Sequence, residues 1–472
     1  MSAQLPAQLA AIAGHEVTVP PRSMLGRYMS PADPAPLLEF LAAHGPKADA
    51  LVVSVDLLLH GGIEVSRDAR LSKPSAHARF DAMAAALAPF GDKTTLFSCI
   101  TRSTITATRE PELALWSDLA SLNALRGRIL DSELEEQRNL LRARVPASVV
   151  ASYDFARERN HEIAQRVARL AAERKVARAV FLQDDSGPHG PHVRELEELR
   201  ALSAGAPVDF MPGTDEAGTL LTASVITQAS SWLPRVSFML SDAPAMGRTA
   251  LYEHEPFRES LHSHLRPLGI LVDNTNPEVQ IFLHPPVKNS RDLFLDAEPD
   301  AELDLTEFAA KLYESIADEK DTILIDCAHA NGADPNLMDS LPPELLGRLT
   351  GFAAWNTASN TLGCALAQTA MVAIGKRAGS FSPGANARFT RLRLLDDWLF
   401  QTIARRELGK KCKAQHIDRF QFGGDGARLD AELDNRLHEL EAEHLSASRL
   451  RFAARFPWHR LFECELDWIE AP

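Results

Sequence analysis

The chain has 472 residues, with 50 Lys plus Arg against 64 Asp plus Glu and a formal net charge of −14, a balance that argues against nucleic acid or an anionic membrane as its main partner. Its five cysteines, Cys99, Cys327, Cys364, Cys412 and Cys464, are scattered and form no CxxC pair, so neither a disulfide framework nor a cysteine zinc site is indicated. No stretch is long and apolar enough to cross a bilayer, and MSAQLPAQLAAIAGHE lacks the basic region and apolar length of a secretory signal, so no membrane insertion and a cytoplasmic location are expected.

Residues 2–14 read as a helix. Short β-type runs then occur at 16–19, 50–55, 95–100, 179–182, 208–211, 236–240, 270–272, 279–283, 322–325 and 352–354. Their interiors lack polar alternation, as strands covered on both faces should. Helical patterns such as 36–43 and 75–87 separate them, which predicts an α/β fold: a (β/α) barrel or distorted TIM-like barrel, with a large doubly wound sheet fitting the same rhythm. Between 132 and 178 a nearly continuous helical sequence predicts a two-helix insertion, too long for an ordinary crossover. Beyond 380 the β-type runs stop, and 391–408 and 427–448 read as amphipathic helices. The expected organisation is a barrel-like catalytic domain over 1–380, carrying the excursion 132–178, and a helical carboxy-terminal region over 381–472.

The chemistry concentrates where strands end. The run 179–182 leads into QDDSGPHGPH, so Asp184 and Asp185 fall where loops of an α/β protein meet a ligand. Adjacent residues on an extended segment point in different directions, so one acid can protonate a leaving group while the other holds a neighbouring substrate group. Glycoside cleavage assisted by a substrate acetamide divides labour this way, whereas an Asx-type turn would explain two solvated acids. Asp56 and His60 precede Gly61-Gly62, a turn suited to close approach. Arg102 follows the run 95–100, and Asp215 and Glu216 follow 208–211 in PGTDEAG, where capping accounts for one acid and ligand contact for the other. Asp326 and Asn331 in DCAHANG, and Trp355 and Asn356 in WNTASNTLG, suit a sugar: an aromatic ring for its CH face and amides for its hydroxyls. A capped helix start with a buried Trp355 is the plainer reading.

Tyr153 and Arg157 are four apart on the helical excursion and Asn160 lies three beyond, a spacing that lets a lid helix hold Arg157 and Asn160 over the Asp pair; a solvent-facing helix explains the same charges. His189 and His192, close to Asp185, raise a divalent-metal alternative with Asp215, Asp326 or His329 as distant ligands, though no HExxH or other strong zinc spacing is present. No dinucleotide fingerprint or Walker loop supports a nucleotide cofactor.

The segments IAGHEVTVPPRSMLGR, VSVDLLLHGGIEVSR, 153–161, QDDSGPHG, PGTDEAG, DCAHANGADP and AWNTASNTLG together resemble a bacterial family of uncharacterised proteins, domain-of-unknown-function family 4127. Members of that family usually begin with a strand and a PLDDRP-like segment, whereas this sequence starts at the helix expected after it; a mis-set start, a trimmed chain and a real loss all fit, and only a real loss would leave the barrel with an open edge. A more remote resemblance is to family 84 of the glycoside hydrolases, where adjacent aspartates follow a barrel strand. That resemblance implies that Asp184 holds a substrate acetamide, that Asp185 is general acid and then base, and that Trp355 and Asn356 touch substrate. The leading expectation is a glycoside hydrolase acting without a cofactor on a small sugar or N-acetylhexosaminide-like substrate. A metal-dependent hydrolase or lyase and a non-catalytic carbohydrate-binding protein are the alternatives.

Overall fold

A computed structural model of the chain describes residues 3–295, 303–446, 448 and 450–469. The chain is α/β and divides into two units, Thr18–Thr214 and the combination of Met1–Val17 with Asp215–Pro472.

In the Thr18–Thr214 unit, β1 (Leu51–Ser54), β2 (Thr94–Ile100), β3 (Arg178–Gln183) and β4 (Val208–Pro212) form one parallel sheet in that order. Register aligns Val53, Leu96, Ala179 and Val208 across it, and Phe181 beside Phe210. These side chains pack with Leu59, Phe80, Met83, Ile163 and Val167 from the covering helices, each fully buried apolar side chain contributing about 1.5–3 kcal/mol. Two helices, Ser132–Arg144 and Ala147–Ala172, occupy the long segment before β3. Gly61, at φ +82°, ends helix Val55–His60; a Cβ there would lie 2.6 Å from the backbone of Ala32, so the turn requires glycine.

The other unit holds a second parallel sheet, ordered β6 (Leu271–Val272), β5 (Arg235–Leu240), β7 (Val279–His284), β8 (Thr322–Asp326) and β9 (Gly351–Ala353). Helix Ala358–Ala378, buried along nearly its whole length, packs against helices Ala217–Ala229 and Leu5–Ala10. Helix Pro383–Arg393 packs against β9 and the 3-10 turn Ala11–Ala13, so both sides of the boundary expected at residue 380 lie within this unit.

Several sequence expectations change. The parallel strands lie in two sheets, one in each unit, where one continuous sheet was expected. Residues 16–19 form no strand. The carboxy-terminal region, expected to be helical, ends in an antiparallel pair, β10 (Arg451–Arg455) with β11 (Glu465–Ile469). Its signal is short: only Phe452 and Ala454 face inward on β10, between arginines at either end. The expected helix 391–408 is the middle of a longer run, in which α-helices Pro383–Arg393 and Arg405–Ala414 flank a π-helical stretch, Leu394–Ala404.

Candidate functional site

Parallel strands direct all their carboxyl ends to one edge of a sheet, and that edge gathers the polar residues of the Thr18–Thr214 unit. Asp184 and Asp185 follow β3, Asp56 opens the helix after β1, and Arg102 follows β2. Arg67 Nη2 donates to Asp184 Oδ2 at 2.5 Å, and Arg102 Nη1 donates to Asp185 Oδ2 at 2.9 Å. Arg67 also donates to Glu64 at 2.7 Å, and Glu64 accepts from the Thr106 hydroxyl at 2.7 Å. Each aspartate of the pair therefore has one oxygen committed to a guanidinium, while its Oδ1 has no protein hydrogen bond among the described residues. Asp185 sits at φ +28°, backbone that a non-glycine residue rarely adopts and that costs of order 1–3 kcal/mol.

The two acids are not equivalent. Asp185 keeps 25% of its side-chain surface open against 10% for Asp184. Burial, reinforced by the Asp184 charge, lifts the Asp185 carboxyl to about 6, against the opposing pull of Arg102 and Arg67. Burial also lifts Asp56 to about 6, although Asp56 Oδ2 accepts the Cys99 amide at 2.9 Å.

Arg157 and Asn160, expected on a lid, are engaged by the protein itself. Arg157 makes a two-pronged pair with Glu195, at 2.6 and 2.7 Å, and donates to the Thr101 carbonyl at 2.6 Å and the Tyr153 hydroxyl at 2.9 Å. The Asn160 amide donates to Ser66 O and Thr101 Oγ1 and accepts from Arg159. These two residues hold the loop that presents Arg102. His60 is buried, and desolvation holds its imidazole down at about 3, in the neutral form. His192 is buried at the start of helix Pro191–Leu202, whereas His189 is exposed. Among the described residues no group of three or more His, Cys, Asp or Glu side chains is arranged to hold a metal ion.

The remaining expected residues lie in the other unit. Asn356, at φ +56°, donates from its amide to Asp215 Oδ2 at 2.7 Å, and Asn360 Oδ1 accepts the Asp215 backbone N–H at 3.2 Å. Asn331, at φ +62°, donates to Asp292 at 2.8 Å and through its backbone to Asn356 O at 2.6 Å. Asp326 accepts the amides of Ala328 at 3.0 Å and Asp334 at 2.6 Å, which ties the DCAHANGAD loop to the end of β8. Trp355 is only 7% exposed and lies beside the Arg393 guanidinium, which pairs with buried Asp396 and Asp397 of the π-helical stretch. Its ring is part of the core beneath the loop.

Glu216 is fully buried and accepts from or donates to His264 Nε2 at 3.4 Å, while its Oε2 has no hydrogen-bond partner among the described residues. A Cβ added at Gly363 would stand 2.2 Å from Glu216 Cγ and 2.9 Å from Glu216 Cβ. The missing side chain of Gly363 thus leaves room for Glu216. Gly363→Ala is expected to lower stability by about 1–3 kcal/mol through overpacking, reversing the ~1 kcal/mol that alanine gains at an open helix position. A urea unfolding curve reads this directly, and an unchanged or raised midpoint would mean that Glu216 has room to move.

Sequence reasoning missed Arg67 and Glu64 beside the Asp pair, and His264 beside Glu216 in the other unit. Arg67 did carry a signal, as the closing residue of VSVDLLLHGGIEVSR. The fold and this edge define a parallel α/β protein with an arginine-clamped aspartate pair at a strand end. The chain belongs to the family described as "Protein of unknown function (DUF4127)", whose pattern it matches over residues 1–467. No curated protein and no solved structure matches it.

Proposed function

We propose that the end of β3 is an acid–base site that hydrolyses a glycosidic bond, with Asp185 as proton donor and Asp184 as the carboxylate that holds or stabilises the sugar. The observation that carries this reading is the asymmetry of the pair: each acid has one oxygen fixed by an arginine and one left unclaimed, and Asp185, the more accessible of the two, is lifted toward neutrality. Acetal cleavage needs these two services together. The leaving oxygen needs a proton, and the positive charge developing at the anomeric carbon needs an anion or an internal nucleophile beside it. Asp185 Oδ1 can supply the proton, and Asp184 Oδ1 can accept an acetamide N–H or face the developing cation, while Arg67 and Arg102 keep both carboxyl groups oriented.

An N-acetylhexosaminide is the substrate this division of labour suits best, in keeping with the remote resemblance to the family 84 glycosidases. The test is release of the aryl alcohol from a panel of aryl glycosides, N-acetylhexosaminides included, by the purified chain and by Asp184→Asn and Asp185→Asn. Turnover by the unaltered chain that falls in both variants supports the assignment. Equal turnover in all three proteins, or none on any sugar, overturns it.

A further inference from the structure

In the five-stranded sheet, register sets Leu240 of β5 opposite Leu283 of β7 and His284 of β7 opposite Asp326 of β8. The Ser241 amide donates to Leu283 O at 3.1 Å, extending the ladder by one residue and fixing Ser241 beside His284. Ser241 Oγ then lies 2.6 Å from His284 Nδ1, and His284 Nε2 lies 3.1 Å from Asp334 Oδ2. Asp334 is held in turn: its backbone N–H donates to Asp326 Oδ2 at 2.6 Å, and its Oδ1 accepts the backbone and side-chain N–H groups of Asn336 at 3.0 Å.

An ionised carboxylate can only accept, so Asp334 fixes the hydrogen of His284 on Nε2 and leaves Nδ1 as an acceptor for the Ser241 hydroxyl. The His284 ring is completely buried and Asp334 nearly so, whereas Ser241 is partly open. Hydroxyl, imidazole and carboxylate therefore form a hydrogen-bonded chain from a partly open serine to a buried acid: Ser241 follows β5, His284 ends β7, and Asp334 caps the helix Pro335–Asp339 in the loop after β8. Burial acts to depress the His284 imidazole, but the Asp334 hydrogen bond and the charges of Asp326, Asp334 and Asp242 outweigh it and raise its basicity. A hydroxyl buried with a histidine for packing alone would need neither an accessible end nor a stack of acids behind the ring.

We propose that Ser241, His284 and Asp334 form a nucleophilic triad that cleaves carboxylic esters, an activity separate from the Asp184–Asp185 site. Ser241 Oγ bonds to the acyl carbon as its proton passes to His284 Nδ1 and the carbonyl π pair moves onto oxygen. Collapse of that intermediate breaks the bond to the alkoxy group, which takes the proton from Nδ1 and leaves as an alcohol. Water then attacks the acyl-serine by the same proton route, releasing the acid and restoring Ser241. Here the serine meets Nδ1 and the acid Nε2, so the two ring nitrogens exchange their usual roles while the proton path stays the same.

The test uses the full chain, a fluorophosphonate and p-nitrophenyl acetate and butyrate. The fluorophosphonate forms an Oγ–P bond with loss of fluoride, so peptide mapping of the unaltered protein reports the modified residue without any variant. The expected result is a single adduct on Ser241 and ester turnover that falls about 100-fold or more in Ser241→Ala and in His284→Asn. Ser241→Ala removes only a partly exposed hydroxyl, and far-UV and near-UV circular dichroism check that it folds. No adduct on Ser241, or ester turnover unchanged in a folded Ser241→Ala, overturns the proposal.

Discussion

Arg67→Met is expected to lower the unfolding free energy by about 3–5 kcal/mol, the cost of breaking a buried ion pair by removing one partner. Arg67 keeps only 6% of its side-chain surface open, and its guanidinium serves Asp184 at 2.5 Å and Glu64 at 2.7 Å. Methionine fills comparable volume and takes the guanidinium away from both carboxylates, Asp184 at 10% and Glu64 at 18% side-chain exposure. Urea unfolding at neutral pH measures the loss. Arg67→Lys should fall between, because an ammonium restores the charge but cannot bridge two acids as a planar fork does. Adding Asp184→Asn to Arg67→Met should recover part of the loss, since it removes the stranded charge. An Arg67→Met protein as stable as the parent would mean that water reaches Asp184, and the clamped geometry of the pair would have to be abandoned.

The polar strand ends were legible because an apolar run followed by Asp, His or Asn is a local pattern, and Asp184, Asp185, Asp56 and Asp326 all occupy such ends. What depends on distant pairing was not legible. Arg67 reaches Asp184 across 117 residues, and Ser241, His284 and Asp334 are separated by 43 and 50, with no short motif linking them. The division into two sheets is hidden for a similar reason: buried parallel strands have the same composition whichever sheet they join. Trp355 carried two readings, a sugar platform and a buried ring at a capped helix start. The ring is only 7% exposed, and the Arg393 guanidinium beside it, paired with Asp396 and Asp397, lies some forty residues later in what reads as ordinary helical sequence.

Asp185→Asn is expected to reduce glycoside turnover about 100-fold or more, because the amide keeps the shape of the carboxyl group and removes the proton to be donated. The pH profile separates that role from a structural one. With the Asp185 carboxyl lifted from 3.8 to about 6, the proton-donating form prevails below that value, so turnover should fall as pH rises through about 6, roughly tenfold per unit beyond it. Arg67 and Arg102 both hold this carboxyl down, so Arg67→Lys, which keeps the charge, should leave the limb near its place, whereas Arg67→Met should move it to higher pH in whatever fraction remains folded. Stability follows the same titration. Since the folded value exceeds the unfolded one, the contribution of Asp185 to stability is fully present below the unfolded value near 4 and is lost as pH rises through about 6. Asp56 and Asp326 are lifted in the same sense, so the slope belongs to several groups, and only the difference between parent and Asp185→Asn isolates this one. A turnover limb that stays at the same pH when Asp185 becomes Asn would assign the proton to another group and remove Asp185 from the role of acid.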